Sequence, residues 1–230
     1  MDDLLHVKIA DQPEEKKRVY RFRYQTYLEV FGRPPSQAEY NDGEATDPLD
    51  DQGTLFFIEQ ADQVIATARF NQGTEIQGGE ELVKHYDLEA FSNFSPATLG
   101  FSSRLIISPR WEGSRVLAIL LAGLYKLARE QRTRFIFVSC APALVEFYEQ
   151  LGYHRYIDGY LDDAVGYRVP MVFLTEDVTH MRRVRSPFFR LAQRYENNDE
   201  SAKWFEDRFP EYSRFITRRL LSEDQFWQLL

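Results

Sequence analysis

The sequence predicts an α/β domain followed by helices, and three stretches carry that prediction. From Leu99 to Thr133 (LGFSSRLIISPRWEGSRVLAILLAGLYKLAREQRT) an apolar, β-branched strand runs into a Gly-Ser turn and then a long amphipathic helix. Arg134–Ser139 (RFIFVS) is a second buried strand. It leads through Cys140-Ala141-Pro142 into a helix over Ala143–Leu151, closed by Gly152 and followed by a strand from Tyr153. Past Glu176 the pattern is helical. Of 230 residues 43% are hydrophobic and 15% aromatic, enough to bury a real core and to set disorder aside.

In chain order, Leu4–Ala10 alternates as a short strand. Glu14 to about Phe31 reads as a helix with Val19, Phe22, Tyr27 and Val30 on or near one face and Arg18, Arg21 and Arg23 in its first half. Gly32 and then Pro34-Pro35 end it. Ser36–Gly53 reads as a long polar loop carrying Glu39, Asp42, Glu44, Asp47, Asp50 and Asp51. Thr54–Glu59 and Val64–Phe70 form a hairpin through Ala61-Asp62-Gln63. Glu80–Leu88 is a short helix and Glu89–Ala97 irregular. Pro109 stops the central strand because it donates nothing to a ladder. Arg110–Arg115 turns, and the helix to about Arg132 repeats its apolar residues (Val116, Leu120, Leu121, Leu124, Leu127, Ala128) at three and four. Arg155–Tyr160 and Tyr167–Leu174 read as strands. Met181–Tyr195 is basic and amphipathic. Glu200–Arg208, Glu211–Leu221 and Asp224–Leu230 read as helices, with a Ser222/Gln225 capping box. The expected organisation is a domain over residues 1–178 and a helical extension over 179–230, packed through Trp204, Phe205, Phe209, Phe215 and Trp227.

Charge narrows the function. The net charge of −8 opposes nonspecific nucleic-acid binding. Its distribution is uneven: Pro34–Ala68 holds eight acids and no Lys or Arg, whereas His180–Arg194 holds five Arg and no acid. One cysteine, Cys140, excludes an internal disulfide, and four scattered histidines lack metal-ligand spacing, so no metal is expected. No apolar run approaches the roughly 20 residues of a membrane span. The N-terminus lacks a basic-then-apolar signal, and the expected location is the cytoplasm.

The turn Arg110-x-x-Gly113-Ser114, the long helix, the next strand and a second helix closing as FYEQLGY (Phe147–Tyr153) together resemble the GNAT acyltransferase superfamily over roughly residues 4–176. The resemblance implies a mixed, V-split sheet flanked by helices. It implies that Arg110, Gly113, Ser114 and Arg115 take the donor's pyrophosphate at a helix N-terminus. Arg115 stands where the superfamily has Gly or Ala. Backbone N–H groups of Ile106, Ile107 and Ser108 are expected to polarise the thioester carbonyl, and Tyr148 to protonate the departing thiolate. The plainer readings are that Gly113 permits the turn, Ser114 caps the helix, and Tyr148 is a core aromatic beside Phe147.

A narrower resemblance rests on Tyr20–Tyr27, Asp47, Ala66-Thr67-Ala68-Arg69 and Ser102-Ser103-Arg104. These look like the acyl-homoserine-lactone synthases and long-chain N-acyl amino acid synthases. The resemblance implies that Arg23, Arg69, Ser103 and Arg104 organise the acceptor side and that Asp47 is a functional acidic residue. Phe101 stands where those proteins have the glutamate of a Glu-x-Ser-Arg signature. Asp47 or Glu59, holding a water, is the candidate base. Pairing of Arg23 and Arg69 with the acids of residues 39–51 is the structural alternative, and Arg104 calls for a partner such as Glu59 or Asp47.

The expected activity is N-acyl transfer, of a fatty acyl group in particular, from a phosphopantetheine thioester to a small amine such as an amino acid. Acyl-CoA or an acyl carrier protein would be the co-substrate, with Arg182, Arg183 and Arg185 docking the carrier. An acetyl-CoA-dependent acetyltransferase and a non-catalytic acyl-ligand-binding module are the alternatives.

Overall fold

The computed structural model describes residues 5–32, 39–76, 80–163 and 165–212. Pro34, Pro35, Phe215, Ser222, Gln225 and Trp227 lie outside them. In order come β1 (Lys8–Ile9), α1 (Pro13–Phe31), β2 (Glu39–Asn41), β3 (Glu44–Thr46), β4 (Thr54–Gln60), β5 (Gln63–Gln72), α2 (Glu80–His85), β6 (Leu99–Ile107), α3 (Val116–Glu130) and β7 (Phe135–Cys140). Then follow α4 (Val145–Leu151), β8 (Tyr153–Arg155), β9 (Tyr160–Asp162), β10 (Gly166–Leu174), α5 (Val178–Arg183), α6 (Phe189–Ala192) and α7 (Glu200–Arg208). The described chain divides into two compact units. One holds the residues through Asn71 with Ser102–Leu124; the other holds Gln72–Phe101 with the residues from Tyr125.

In the first unit, Gln12 and Glu15 cap α1 reciprocally and Pro13 opens it. Val19 packs on Ala10, Leu55 and Phe57. β1 pairs antiparallel with β4, and β4 with β5, in a register that sets Leu55 opposite Arg69 and Phe57 opposite Thr67. Within the stretch expected as a polar loop, β2 and β3 pair antiparallel. Asp42 and Gly43 both have positive φ (50° and 77°), which closes β2 and β3 into a hairpin.

In the second unit, Leu99–Phe101 of β6 runs parallel to Phe135–Phe137 of β7. The other pairings, β7 with β10 and β10 with β8 and β9, are antiparallel. The sheet is mixed, as expected, and its pairings are largely antiparallel. The core is aromatic, built from Phe91, Phe101, Phe135, Phe137 and Tyr156, with Phe205 and Phe209 of the C-terminal region. Trp204 meets Phe91 at 5.0 Å and Phe94 at 4.8 Å between ring centroids. Through Tyr212 the late helices pack on this core, with Phe205 and Phe209 buried in it and Trp204 against it. The strand expected over Arg155–Tyr160 is two strands, because Tyr156 turns inward and its hydroxyl donates to the Tyr86 carbonyl at 2.7 Å. Met181–Tyr195 is likewise broken, with Arg185 at φ 57° between α5 and α6.

A second buried contact joins α5 to β8. His154 and His180 stack with centroids 3.9 Å apart at 30°, and the Nε2 atoms of both are buried without a partner among the described residues. Asp177 caps α5 by accepting the His180 N–H at 2.8 Å, and Arg183 Nη2 lies 2.7 Å from His180 Nδ1. Burial first, then the Arg183 charge, lowers His154 to about 3; burial, His154 and Arg183 lower His180 to about 2. Unfolded histidines titrate near 6.5, so below that pH the unfolded chain binds protons that the folded chain refuses. Stability is therefore full above about pH 6.5 and falls below it, by up to about 1.4 kcal/mol per pH unit for each histidine. His180→Phe keeps a ring against His154 and removes one of the two groups. Urea midpoints from pH 6.5 to 5 should then fall with about half the wild-type slope, and an unchanged slope would assign the acid sensitivity elsewhere.

Candidate active site

The first unit is centred on an internal ion network. Arg23 comes from α1, Arg69 from β5 and Arg104 from β6; Asp47 and Asp50 flank a single 3-10 turn preset by Pro48. Both Asp50 oxygens accept from Arg23 Nη1 at 2.9 Å, and Oδ1 also accepts from Arg69 Nη1 at 3.0 Å. Asp47 Oδ1 accepts from Arg69 Nη1 and, at 2.9 Å, from the Leu49 N–H. Its Oδ2 accepts from Arg104 Nε at 2.9 Å and Nη2 at 2.5 Å. Arg69 Nε donates to Ser103 Oγ at 3.1 Å. Glycine at 53 permits the close fit, since a Cβ there would stand 2.8 Å from the Leu49 carbonyl oxygen and 3.0 Å from Arg69 Cδ.

Three guanidiniums against two carboxylates leave one surplus positive charge. Burial pushes Asp47 up, but Arg69 and Arg104 outweigh it and hold the carboxyl at about 2. Burial lowers Arg23 against the pull of Asp50, and its Nε and Nη2 have no partner among the described residues. Burial also opposes the charge on Arg104, yet Tyr27 and Asp47 together raise it above its ordinary value. Arg104 sits within a strand at φ 53°, a left-handed conformation for a long side chain, held by the grip on Asp47.

The network thus brings Arg23, Asp47, Arg69, Ser103 and Arg104 together. Arg23 and Arg69 are 1% and 3% exposed and paired with Asp50 and Asp47, the arrangement given above as the structural alternative. Asp47 has both oxygens engaged and a pKa far below that of a working base. Glu59, the other candidate base, is bonded to Lys8 and Arg18 and held low by Lys8 first. It pairs with Val64 at the hairpin end of β4, roughly 17 Å along β5 from Arg69. Sequence reading missed Asp50 as the hub, although Asp-Pro-Leu-Asp, with its reciprocal cap, carries the signal. It also missed Tyr27 as a partner of Arg104.

The turn after β6 keeps its expected form. Gly113 has φ 73°, a conformation that favours glycine. Ser114 Oγ donates to the Trp111 carbonyl at 2.6 Å and accepts from the Val116 N–H at 3.3 Å. Arg110 and Arg115 are exposed, with no acidic partner among the described residues. Ser108 departs from expectation, because its N–H donates to the Ile65 carbonyl at 2.9 Å and is not free to polarise another. Strand alternation turns the Ile107 N–H away from β5 and the Ile106 N–H toward it.

In the second unit, Tyr148 of α4 is half-buried and packs edge-on against Phe147 at 5.1 Å and Tyr153 at 5.2 Å. Its hydroxyl has no hydrogen-bond partner among the described residues, and burial raises its pKa. A cavity of about 1070 Å³ is walled largely by apolar side chains, among them Ile76, Leu82, Leu88, Phe91, Leu99 and Phe101. Ligand atoms of His154, Asp177 and His180 lie within 4.8 Å of one another. The two rings, however, face each other rather than a common point, and Arg183 occupies His180 Nδ1.

Removing Asp50 tests the hub. Asp50→Ala leaves Arg23 without its carboxylate partner in the interior and should lower stability by about 3–5 kcal/mol. Equal urea midpoints for variant and wild type would deny the network that role.

Three solved structures share this architecture. The CoA-dependent acyl-homoserine lactone synthase BjaI, solved with SAM and isopentyl-CoA, aligns with TM-score 0.60 and 13% identity over 87% of this chain and 97% of its own. FeeM, an N-acyl amino acid synthase from uncultured soil microbes, aligns with TM-score 0.59 and 16% identity over 84% and 98%. The AHL synthase LasI aligns with TM-score 0.57 and 14% identity over 74% and 90%. At such identities the likeness establishes the fold. No curated protein sequence matches the chain. The sequence model of the N-acyl amino acid synthase FeeM matches residues 18–177, from α1 past the end of β10. A match of that extent establishes membership: the chain belongs to the FeeM N-acyl amino acid synthase family and is a GNAT-type acyltransferase.

Proposed function

We propose that the protein transfers a fatty acyl group from a phosphopantetheine thioester, on CoA or an acyl carrier protein, to the amine of an amino acid. The cavity of about 1070 Å³ is the observation that favours a fatty over an acetyl donor. An apolar void of about 150 Å³ already holds a benzene molecule, so an acetyl group would leave this space almost empty. Phe101, where the resemblance expects a glutamate, adds an aromatic wall and stacks on Phe137 with centroids 5.2 Å apart.

In this reading the amine nitrogen attacks the thioester carbonyl carbon directly, the C–N bond forming as C–S breaks. The nitrogen loses one proton and the departing sulfur gains one. Tyr148 supplies the proton to sulfur, and the proton given up by nitrogen restores the phenol, so none is gained or lost overall. Its raised pKa keeps it protonated at neutral pH, and its hydroxyl is uncommitted among the described residues. Arg110 and Arg115 take the donor's phosphates beside Gly113 and Ser114. The Ile107 N–H polarises the carbonyl in place of the committed Ser108 N–H. Asp47, Asp50, Arg23 and Arg69 hold Arg104 and Ser103 in position. Arg182, Arg183 and Arg185 are exposed on and just after α5, where they suit an acidic carrier.

Two measurements test this. Each methylene buried is worth about 0.8 kcal/mol, so kcat/KM should climb by roughly fourfold per CH₂ along an acyl-CoA series until the cavity is filled. Best activity with acetyl-CoA would refute the fatty-acyl reading. Tyr148→Phe preserves the ring packing and should lower kcat by about 10²-fold with donor KM little changed. Retained kcat with an unmoved pH profile would make Tyr148 a packing residue.

A further inference from the structure

Outside the ion network, one half-buried arginine of the second unit differs from the others. Arg168 lies near the start of β10 and is half-buried. Arg18, Arg104, Arg129, Arg134 and Arg155 are also half-buried, and each is matched with a carboxylate. Among the described residues Arg168 alone of this group has no acidic partner. Its stem is held by the fold while no carboxylate of the described residues neutralises its head group. A cation so placed is available to an anionic ligand.

The surroundings define that ligand. Arg168 is directly opposite Tyr160 on β9, and Pro170, two residues on, is opposite Ser139 on β7. The period of two puts Arg168, Tyr160 and Ser139 on one face. Ser139 Oγ and Tyr160 Oη are hydrogen-bonded at 3.0 Å, and His85 stacks on the Tyr160 ring at 3.8 Å. The Arg168 guanidinium is near enough to Tyr86, Cys140 and Tyr148 to act on all three. All three are neutral at pH 7, since burial raises each. Glu149, whose charge reaches Cys140, is bonded to Arg155 at 2.8 Å. Arg168 is thus a single positive charge among neutral hydroxyls.

We infer that Arg168 binds the carboxylate of the acceptor, with the Ser139–Tyr160 hydroxyl pair beside it, and so selects α-amino acids over simple amines. The inference rests on the reading of Tyr148 as the acid at the departing sulfur. In an α-amino acid one carbon separates carboxylate from amine. A carboxylate held by Arg168 therefore presents its amine in the neighbourhood of Tyr148. A monoanion suits the single charge, whereas the donor's pyrophosphate is matched by the two arginines of the turn after β6. No sequence motif marks Arg168; its meaning comes from the partner it lacks.

Calorimetry with an uncharged analogue separates this from the acyl-transfer reading. The probes are N-dodecanoyl-glycine, a product with a free carboxylate, and N-dodecanoyl-glycinamide, which differs only in charge at that end. Wild type should bind the acid roughly tenfold or more tightly than the amide. Arg168→Gln should erase the preference with amide affinity unchanged, and Arg168→Lys should restore part of it. A preference that survives in Arg168→Gln, or wild-type affinities that are equal, would overturn the assignment while leaving the acyl site intact. Failure of wild type to bind either compound would overturn the proposed function itself. Should Arg168→Gln not fold, the wild-type ratio together with Arg168→Lys still decides.

Discussion

An arginine and an aspartate almost wholly removed from water, Arg23 and Asp50, are the constraint on which the first unit depends. Neither charge is tolerable alone in the interior. Each must therefore be delivered to the other by its own element, α1 for the arginine and the turn after β3 for the aspartate. Once Asp50 is placed, its second guanidinium partner, Arg69, is aligned along β5, and Asp47, three residues earlier, is turned toward Arg104. The chain from Arg23 to Arg104 is a sequence of obligations, each created by burying the previous charge. Continuum arguments hold that such networks add little net stability. Their value here is geometric, since the carboxylates hold β6 in a backbone form it does not adopt by default.

Much of the fold was legible because it obeys local periodicity. The strand, glycine turn and helix around Gly113, the helix from Glu14 and the β4–β5 hairpin carry the spacing that burial on one face requires. The misreadings have tertiary causes. Residues 39–51 looked like a loop because their polar character is spent on partners distant in sequence, although Asp42-Gly43 announced a hairpin. Tyr156 left its strand to fill an aromatic core that no local window reveals. The partners of the late aromatics were hidden for the same reason: Trp204 meets Phe91, Phe94 and Phe135, which come from far earlier in the chain.

The ion network was legible in most of its members and less so in its geometry. The arginines, Asp47 and Ser103 were identifiable by their pattern, whereas burial decides which of them water reaches. Asp47 illustrates the difference: its residue type suggests a base, and two guanidiniums hold its carboxyl well below the usual carboxylate range. Ser108 shows the same at the level of the backbone, where a single ladder bond removes a donor that the motif alone would offer.

Position 104 illustrates how two demands meet in one residue. Its backbone conformation is one that glycine or asparagine adopts with ease and that a long side chain resists. Its side chain, in contrast, must span to Asp47 with two donors, a task that only a guanidinium performs in that fork geometry. No one of the twenty side chains satisfies both. Selection for stability alone, as in consensus or computational redesign, would drift toward the residue that relaxes the strand and would thereby dismantle the grip. The identity of residue 104 is therefore set by its aspartate partner, against its own conformational preference.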